Sequence, residues 1–167
     1  MRYPKEITPG KTNKSIVINA DFAPTLLDYA GIERPDYMQG ESFRTILCNG
    51  KALAGWRHAM YYRYWMNGDV LHHTVANYGI RTQRYVLTFY YGRALGKTGT
   101  REMDYTPDWE LYDLKQDPAQ MHNLYHEKGY EQLIRKLKTQ LLELKRHYGD
   151  TDEKYPEMQE IEARYFW

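Results

Sequence analysis

Tyr78-Gly79-Ile80-Arg81-Thr82-Gln83-Arg84-Tyr85-Val86-Leu87-Thr88-Phe89-Tyr90-Tyr91 decides the fold class of this chain. Two runs of strand-forming residues, Tyr78 to Thr82 and Tyr85 to Tyr91, flank a short polar segment. Side chains alternate along a strand, so Tyr85, Leu87, Phe89 and Tyr91 share one face while Val86, Thr88 and Tyr90 share the other. Thr82-Gln83-Arg84 is the expected tight turn, which makes the pair an antiparallel hairpin. Moving outward, Ala59 to Trp65 is dense in strand formers, and Trp109-Glu110-Leu111-Tyr112-Asp113-Leu114 alternates cleanly. Gly92 to Thr106 carries three glycines and few apolar residues and reads as a loop. Four short strands with no helix between them predict an antiparallel sheet.

The segment after the sheet has a different period. Tyr130, Leu133, Ile134, Leu137, Leu141, Leu144 and Tyr148 recur at helical spacing, and Gly149 marks a stop. Glu131 with Arg135 and Glu143 with His147 stand four apart on the polar side. This long helix is expected to cover one face of the sheet. Residues 151–167 read as a polar tail ending in Tyr165-Phe166-Trp167, an aromatic end expected to dock. At the other end, Ser15-Ile16-Val17-Ile18 looks like a strand, and Asp21 looks like the N-cap of a helix with Pro24 in its first turn. Phe22, Leu26, Leu27, Tyr29 and Ala30 give that helix an apolar face, and Gly31 suits its end. Strand then helix is half of a βα unit, which needs a parallel sheet around it, and no second such unit occurs. The expected organisation is therefore a strand-helix remnant over 1–35, an α+β body over 36–150 and a tail over 151–167. The remnant helix, deprived of its sheet, is expected to favour self-association.

Composition narrows the function classes. The chain has 167 residues, with 23 Lys+Arg against 22 Asp+Glu, a formal net charge of +1. That balance lacks the basic surplus of a nucleic-acid binder. No apolar run approaches the ~20 residues of a membrane span. A single cysteine, Cys48, excludes an internal disulfide framework and a Cys-built zinc site. Met1 to Ile7 has no apolar core of a signal peptide and no cleavage site.

Few residues offer chemistry on their own. Cys48 lies in a turn-like Leu47-Cys48-Asn49-Gly50 stretch, where a packed thiol is the ordinary reading. His122 and His126 stand four apart, but Asn123, Leu124 and Tyr125 lie between them, so the H-E-x-x-H zinc pattern fails. There is no G-x-S-x-G elbow and no glycine-rich phosphate loop. The 17 tyrosines are the surplus. Tyr61, Tyr62, Tyr64, Trp65, Tyr78, Tyr90 and Tyr91 fit core packing, sugar faces or stacking on single-stranded nucleic acid equally well. His72-His73 sits in a short polar-flanked loop with little core to fill, which favours a ligand-facing role.

The order of these segments resembles the C-terminal part of a type I sulfatase. The resemblance is strongest to bacterial glycan sulfatases of the N-acetylglucosamine-6-sulfatase and mucin-desulfating kind. It is carried by Asp21 to Gly31, Gln39-Gly40-Glu41-Ser42-Phe43, Met60-Tyr61-Tyr62-Arg63-Tyr64, Tyr78 to Tyr85, Trp109 to Leu114, Asp117-Pro118 and Asn123-Leu124, in that order over residues 8–150. The resemblance implies a four-stranded antiparallel sheet packed on a long C-terminal helix, preceded by the last strand and helix of an alkaline-phosphatase-like α/β domain. It also implies a formylglycine nucleophile, made from a C-x-P-x-R or S-x-P-x-R motif, and a calcium ion, both upstream of Met1. Cys48 is followed by Asn49, Gly50, Lys51 and Ala52 and does not match that motif. No cofactor is thus expected in this chain, and the chain alone is expected to be inactive, with the missing N-terminal catalytic domain as its partner. The parent is expected in the periplasm or outside the cell.

The same resemblance suggests substrate contacts. The family pattern H-x-x-x-x-H-Y-G puts His72 at its first position and Asn77 where the second His is expected. His72, His73, Asn77, Tyr78 and Arg81 are therefore the candidate contacts to a sulfated carbohydrate. Arg81 would either face the pocket or pair with a carboxylate across the sheet. The family's D-P-x-E-x-x-N-L departs here at Gln120, a change read as structural. Two readings remain: part of a glycan sulfate hydrolase that helps shape its pocket, or a stand-alone carbohydrate-binding module.

Overall fold

The alternation in Tyr78 to Tyr91 does build a hairpin. In the computed structural model, which describes residues 1–167, β2 (Asn77–Thr82) pairs antiparallel with β3 (Tyr85–Tyr90), Ile80 opposite Leu87 and Arg81 opposite Val86. The turn between them is Gln83-Arg84, and the Thr82 hydroxyl accepts from the Arg84 and Tyr85 amides at 3.2 and 2.8 Å. Adding β1 (Ala59–Tyr64) and β4 (Asp108–Asp113) completes an antiparallel sheet in the order β1-β2-β3-β4. By compactness the chain divides into Met1–Met60 and Tyr61–Trp167.

In the second unit one sheet face is dry. Tyr78, Ile80, Leu87, Phe89, Trp109 and Leu111 are buried there, together with Leu137 and Leu141 of α3 (Glu131–His147). Each such side chain contributes roughly 1.5–3 kcal/mol of transfer free energy. Gly79 is obligatory within β2, because a Cβ there would meet the Leu87 carbonyl and the Tyr62 hydroxyl, each at 2.5 Å. α3 begins with Glu131 accepting from the Gly129 amide at 3.0 Å, and ends at Gly149, whose φ of 67° suits glycine. Lys145, Arg146 and His147 in its last turn complement the helix dipole.

The polar tail is not a tail. Pro156–Tyr165 forms a helix, α4, with Pro156 in its first turn and Met158 and Ile161 buried. Phe166 follows, 3% exposed, with its ring 5.1 Å from Trp109 and 6.1 Å from Phe89, both edge-on. The Trp109 indole donates to the Tyr165 carbonyl at 3.0 Å. Lys138 of α3 is buried below this end. Its ammonium sits 4.2 Å from the Trp109 ring and donates to the Tyr125 hydroxyl at 2.8 Å and to the Phe166 carbonyl. Burial pushes that ammonium down to about 8.

Charges also lie inside this unit. Arg63 of β1 pairs with Asp150 and Asp152, and Lys145 pairs with Asp152 and with Glu162 of α4. The Tyr78 hydroxyl donates to Glu162 at 2.6 Å. Burial raises the Asp152 carboxyl, but the Lys145 and Arg63 charges outweigh it and leave the group below its ordinary value. At Glu162 burial dominates and the group sits above its ordinary value. The Asp117 and Asn123 turn is structural. Asp117 accepts from the Met121 and His122 amides, and Asn123 caps the outer edge of β4 through Leu111 N at 2.9 Å and Trp109 O at 3.1 Å.

The first unit gives two expectations their local detail. Ser15 to Ile18 has no strand beside it within this chain, as expected of a segment whose sheet is absent, and the Ile16 carbonyl is taken by the Trp56 indole at 2.9 Å. Asp21 occupies the N-cap position of α1 (Phe22–Ala30), as expected, but its side chain makes no capping hydrogen bond. It closes a 3-10 turn, Asn19–Asp21, and its buried carboxylate accepts from the Ile18 amide at 2.8 Å, the Glu41 amide at 2.9 Å and both ends of the Arg57 guanidinium. A two-pronged ion pair outcompetes a single capping bond. Gly40 lets that clasp form, since a Cβ there would lie 2.0 Å from the Ala20 carbonyl oxygen. Phe43, Ile46 and Trp56 make a small core with α2 (Arg44–Asn49). Phe22 and Leu26 on α1 and Ile32 beyond it remain exposed.

Candidate functional site

The loop from Asn67 to Val75 rises from the end of β1 and returns into β2. Its base is fixed by Asn67, which is fully buried. The Asn67 side chain accepts from the Ala76 amide at 2.9 Å and donates to the Arg101 carbonyl at 2.7 Å, while Arg101 N donates to Asn67 O at 2.8 Å. That clamps the loop to the Gly92–Thr106 segment. The Ala76 carbonyl, in turn, accepts from the Tyr91 and Gly92 amides at 3.0 and 3.2 Å.

The tip is organised by Asp69. Its carboxylate accepts from the amides of Leu71 at 3.0 Å and His72 at 2.8 Å, from the Tyr64 hydroxyl at 3.0 Å, and lies 3.1 Å from His72 Nδ1. The His72 amide first, then the Tyr64 hydroxyl and Leu71 amide, hold the Asp69 carboxyl well below the usual carboxylate range. Burial first, then the Asp69 carboxylate, pushes the Tyr64 hydroxyl up. His73 closes the turn with its amide on the Asp69 carbonyl at 3.0 Å and a φ of 51°, unusual for a non-glycine. The result is a His72 ring that is 72% exposed above an anchor whose side chain is 11% exposed.

The five candidate contacts are not one cluster. His72, His73 and Asn77 gather at one end of the hairpin. Asn77 is buried and spends its side-chain N–H on the Val75 carbonyl at 2.8 Å, so it shapes the loop's return. Tyr78 is fully buried on the helix-covered face with its hydroxyl on Glu162, so it supports the core rather than meeting solvent. Arg81 is exposed four residues along β2, about 13 Å from Asn77 at the usual strand rise, where its charge acts on the Tyr62 hydroxyl. Reasoning from sequence read Tyr64 only as one of several strand rings, and missed Asn67 and Asp69. The one signal for them was Asn67-Gly68-Asp69, a turn-forming tripeptide just before the histidines.

No three His, Cys, Asp or Glu residues converge to hold a metal, so the residues present do not fit a calcium cage. Cys48 is half-buried, its Sγ 3.5 Å from a Glu6 carboxylate oxygen and 3.7 Å from the Tyr29 hydroxyl. Burial first, then Cys48, pushes that hydroxyl up to about 12. That Glu6 carboxylate is itself paired with Arg44, so the thiol sits at the edge of an ion pair.

Residues 1–147 match the family described as N-sulphoglucosamine sulphohydrolase, C-terminal. The chain belongs to that family. It is 39% identical over 153 residues to an N-acetylglucosamine-6-O-sulfatase of Bacteroides thetaiotaomicron, covering 91% of this chain and 25% of that protein. It is 28% identical to an ulvan-active sulfatase of Formosa agariphila over 165 residues, covering 89% of this chain and 32% of that protein. The chain thus spans a quarter to a third of the length of these sulfatases. A solved structure of an enzyme with its substrate D-glucosamine-2-N,6-O-disulfate superposes with a TM-score of 0.80 at 38% identity, over 93% of this chain and 29% of that one. A phosphonate monoester hydrolase of Agrobacterium radiobacter shares the fold, with a TM-score of 0.55 at 20% identity over 77% of this chain and 24% of that one. The sheet-and-helix body is therefore that of the C-terminal part of alkaline-phosphatase-like sulfatases.

Proposed function

We propose that this sulfatase C-terminal region serves a longer sulfuric ester hydrolase acting on glucosamine-6-sulfate-type glycans, and that its 67–75 loop borders the sugar pocket. The observation that carries the reading is the exposed His72 ring on a doubly braced loop, in a chain 39% identical to an N-acetylglucosamine-6-O-sulfatase. A side chain held outward on a rigid loop suits contact with sugar hydroxyls, with Asn77 and Tyr78 acting behind it. Sulfate-ester cleavage needs an activated nucleophile and stabilisation of the developing charge. The residues of this chain assemble neither, so the 167-residue protein releases no sulfate by itself. The formylglycine and calcium belong to the portion of the relatives that this chain does not span. The same portion is the natural cover for Phe22, Leu26 and Ile32, in preference to a second copy of the chain. A glycan-degrading role places the longer protein in the periplasm or outside the cell.

Sulfate release from glucosamine 6-sulfate tests this. The longer protein, carrying the upstream coding sequence, should turn over, and the isolated chain should not. His72→Ala in the longer protein should raise KM about tenfold, the order expected for one lost polar contact. Release of sulfate by the isolated chain would overturn the reading. Sugar binding by the isolated chain, with no catalytic sequence upstream, would favour the stand-alone binding module.

A further inference from the structure

Asp69 is in contact with four donors, and three of them converge on one oxygen. Oδ1 takes the Leu71 amide, the His72 amide and His72 Nδ1, while Oδ2 takes the Tyr64 hydroxyl. Two amides would suffice to hold the turn. The contact to the ring does something else. An ionised carboxylate can only accept, so the nitrogen facing it must carry the proton. A histidine as exposed as His72 would otherwise sample several rotamers and both neutral tautomers. Tyr64 ties the arrangement to the end of β1, and Asn67 ties the loop base to Arg101, so the ring is referenced to the sheet rather than to a free tip.

We propose that Asp69 is the positioning residue for His72, holding Nδ1–H so that the neutral ring presents the Nε2 lone pair outward to accept from a sugar hydroxyl. This deepens, and rests on, the reading of His72 as a sugar contact. It adds a polarity: the hydroxyl at this subsite donates, and a ligand offering only an acceptor there is disfavoured. A ring ordered before the ligand arrives also saves the entropy of ordering it on binding.

Long-range 1H–15N correlation spectra of the 15N-labelled 167-residue chain read the tautomer directly. The expected wild-type ring has a protonated Nδ1 and a bare Nε2. Asp69→Ala should move it toward the Nε2–H form. Asp69→Asn should restore Nδ1–H, because the amide oxygen still accepts, and this variant carries the test if Asp69→Ala fails to fold. In the longer protein, Asp69→Ala and His72→Ala should each raise KM for glucosamine 6-sulfate about tenfold, with the double variant no worse than either. A wild-type ring protonated at Nε2, or double-variant losses that multiply, would overturn the positioning role. A correct tautomer together with a KM that neither variant moves would overturn the sugar-facing reading instead and leave the Asp69–His72 tautomer assignment in place.

Discussion

Replacing Phe166 by alanine should unseat the last helix. The ring is 3% exposed and edge-on to Phe89 and Trp109. Withdrawing a phenylalanine from water is worth ~1.5–3 kcal/mol, and each favourable ring pair adds ~0.5–1.5 kcal/mol. The total, ~2.5–6 kcal/mol, brackets the ~3–5 kcal/mol seen when core phenylalanines are cut to alanine. α4 holds on otherwise through Met158, Ile161, the Trp109–Tyr165 hydrogen bond and Glu162, so the loss is capped by the free energy of docking that helix. Urea unfolding of the chain should show a loss of about 3 kcal/mol, and the α4 amides should exchange with solvent faster than those of α3. Trp167 is 69% exposed, and Trp167→Ala should change stability by less than ~0.5 kcal/mol. A Phe166→Ala protein within ~0.5 kcal/mol of wild type, with α4 exchange unaltered, would refute the docked aromatic end.

Lys145→Met removes the cation between Asp152 and Glu162 and should cost ~3–5 kcal/mol at neutral pH by denaturant titration, since it breaks two ion pairs of a largely buried network and leaves Asp152 with Arg63 alone. Gly79→Ala should destabilise by about 1–3 kcal/mol in the same assay, because the Leu87 carbonyl cannot retreat from the new methyl without breaking the hairpin. The Asp113 carboxyl is held below its ordinary value of 3.8 by Arg84 first, and by the Lys115 and Gln116 amides. The unfolded chain therefore binds that proton at a higher pH than the native one does. The stability Asp113 lends is full above pH 3.8 and drains as pH falls through the native value. Asp113→Asn should accordingly weaken the protein near neutrality and flatten the acid limb of its stability curve, as followed by thermal melts across pH.

The sheet and α3 were legible because their periods are strong: alternating apolar residues in Tyr85 to Tyr91, and leucines at helical spacing from Leu133 to Leu144. α4 was not, because it buries only Met158 and Ile161 in ten residues, too thin a stripe to stand out from a charged tail. Ser15 to Ile18 shows the opposite limit. Its residues favour a strand, but a strand also needs a neighbour, and no local pattern reports one. Asp21 has the right residue type for a cap, yet its partner Arg57 lies far along the chain. At the candidate site the exposed His72 could be singled out by loop context. Asp69 could not be given a role, since that role consists of four hydrogen bonds made only once the loop is closed. Tyr78 and Asn77 sit next to Gly79 in a motif, but strand alternation sends Tyr78 to the dry face, a separation that adjacency in sequence conceals.

Arg63, Lys145, Asp152 and Glu162 come from four separate places in the chain and share one nearly dry compartment. Exchanging any one of them breaks at least one ion pair of a shared network that also includes Asp150, so sequence drift there is expected to proceed by matched replacements. Among distant chains, paired change at those four positions would therefore report retention of this topology more faithfully than the identity of any residue on the solvent-exposed loop.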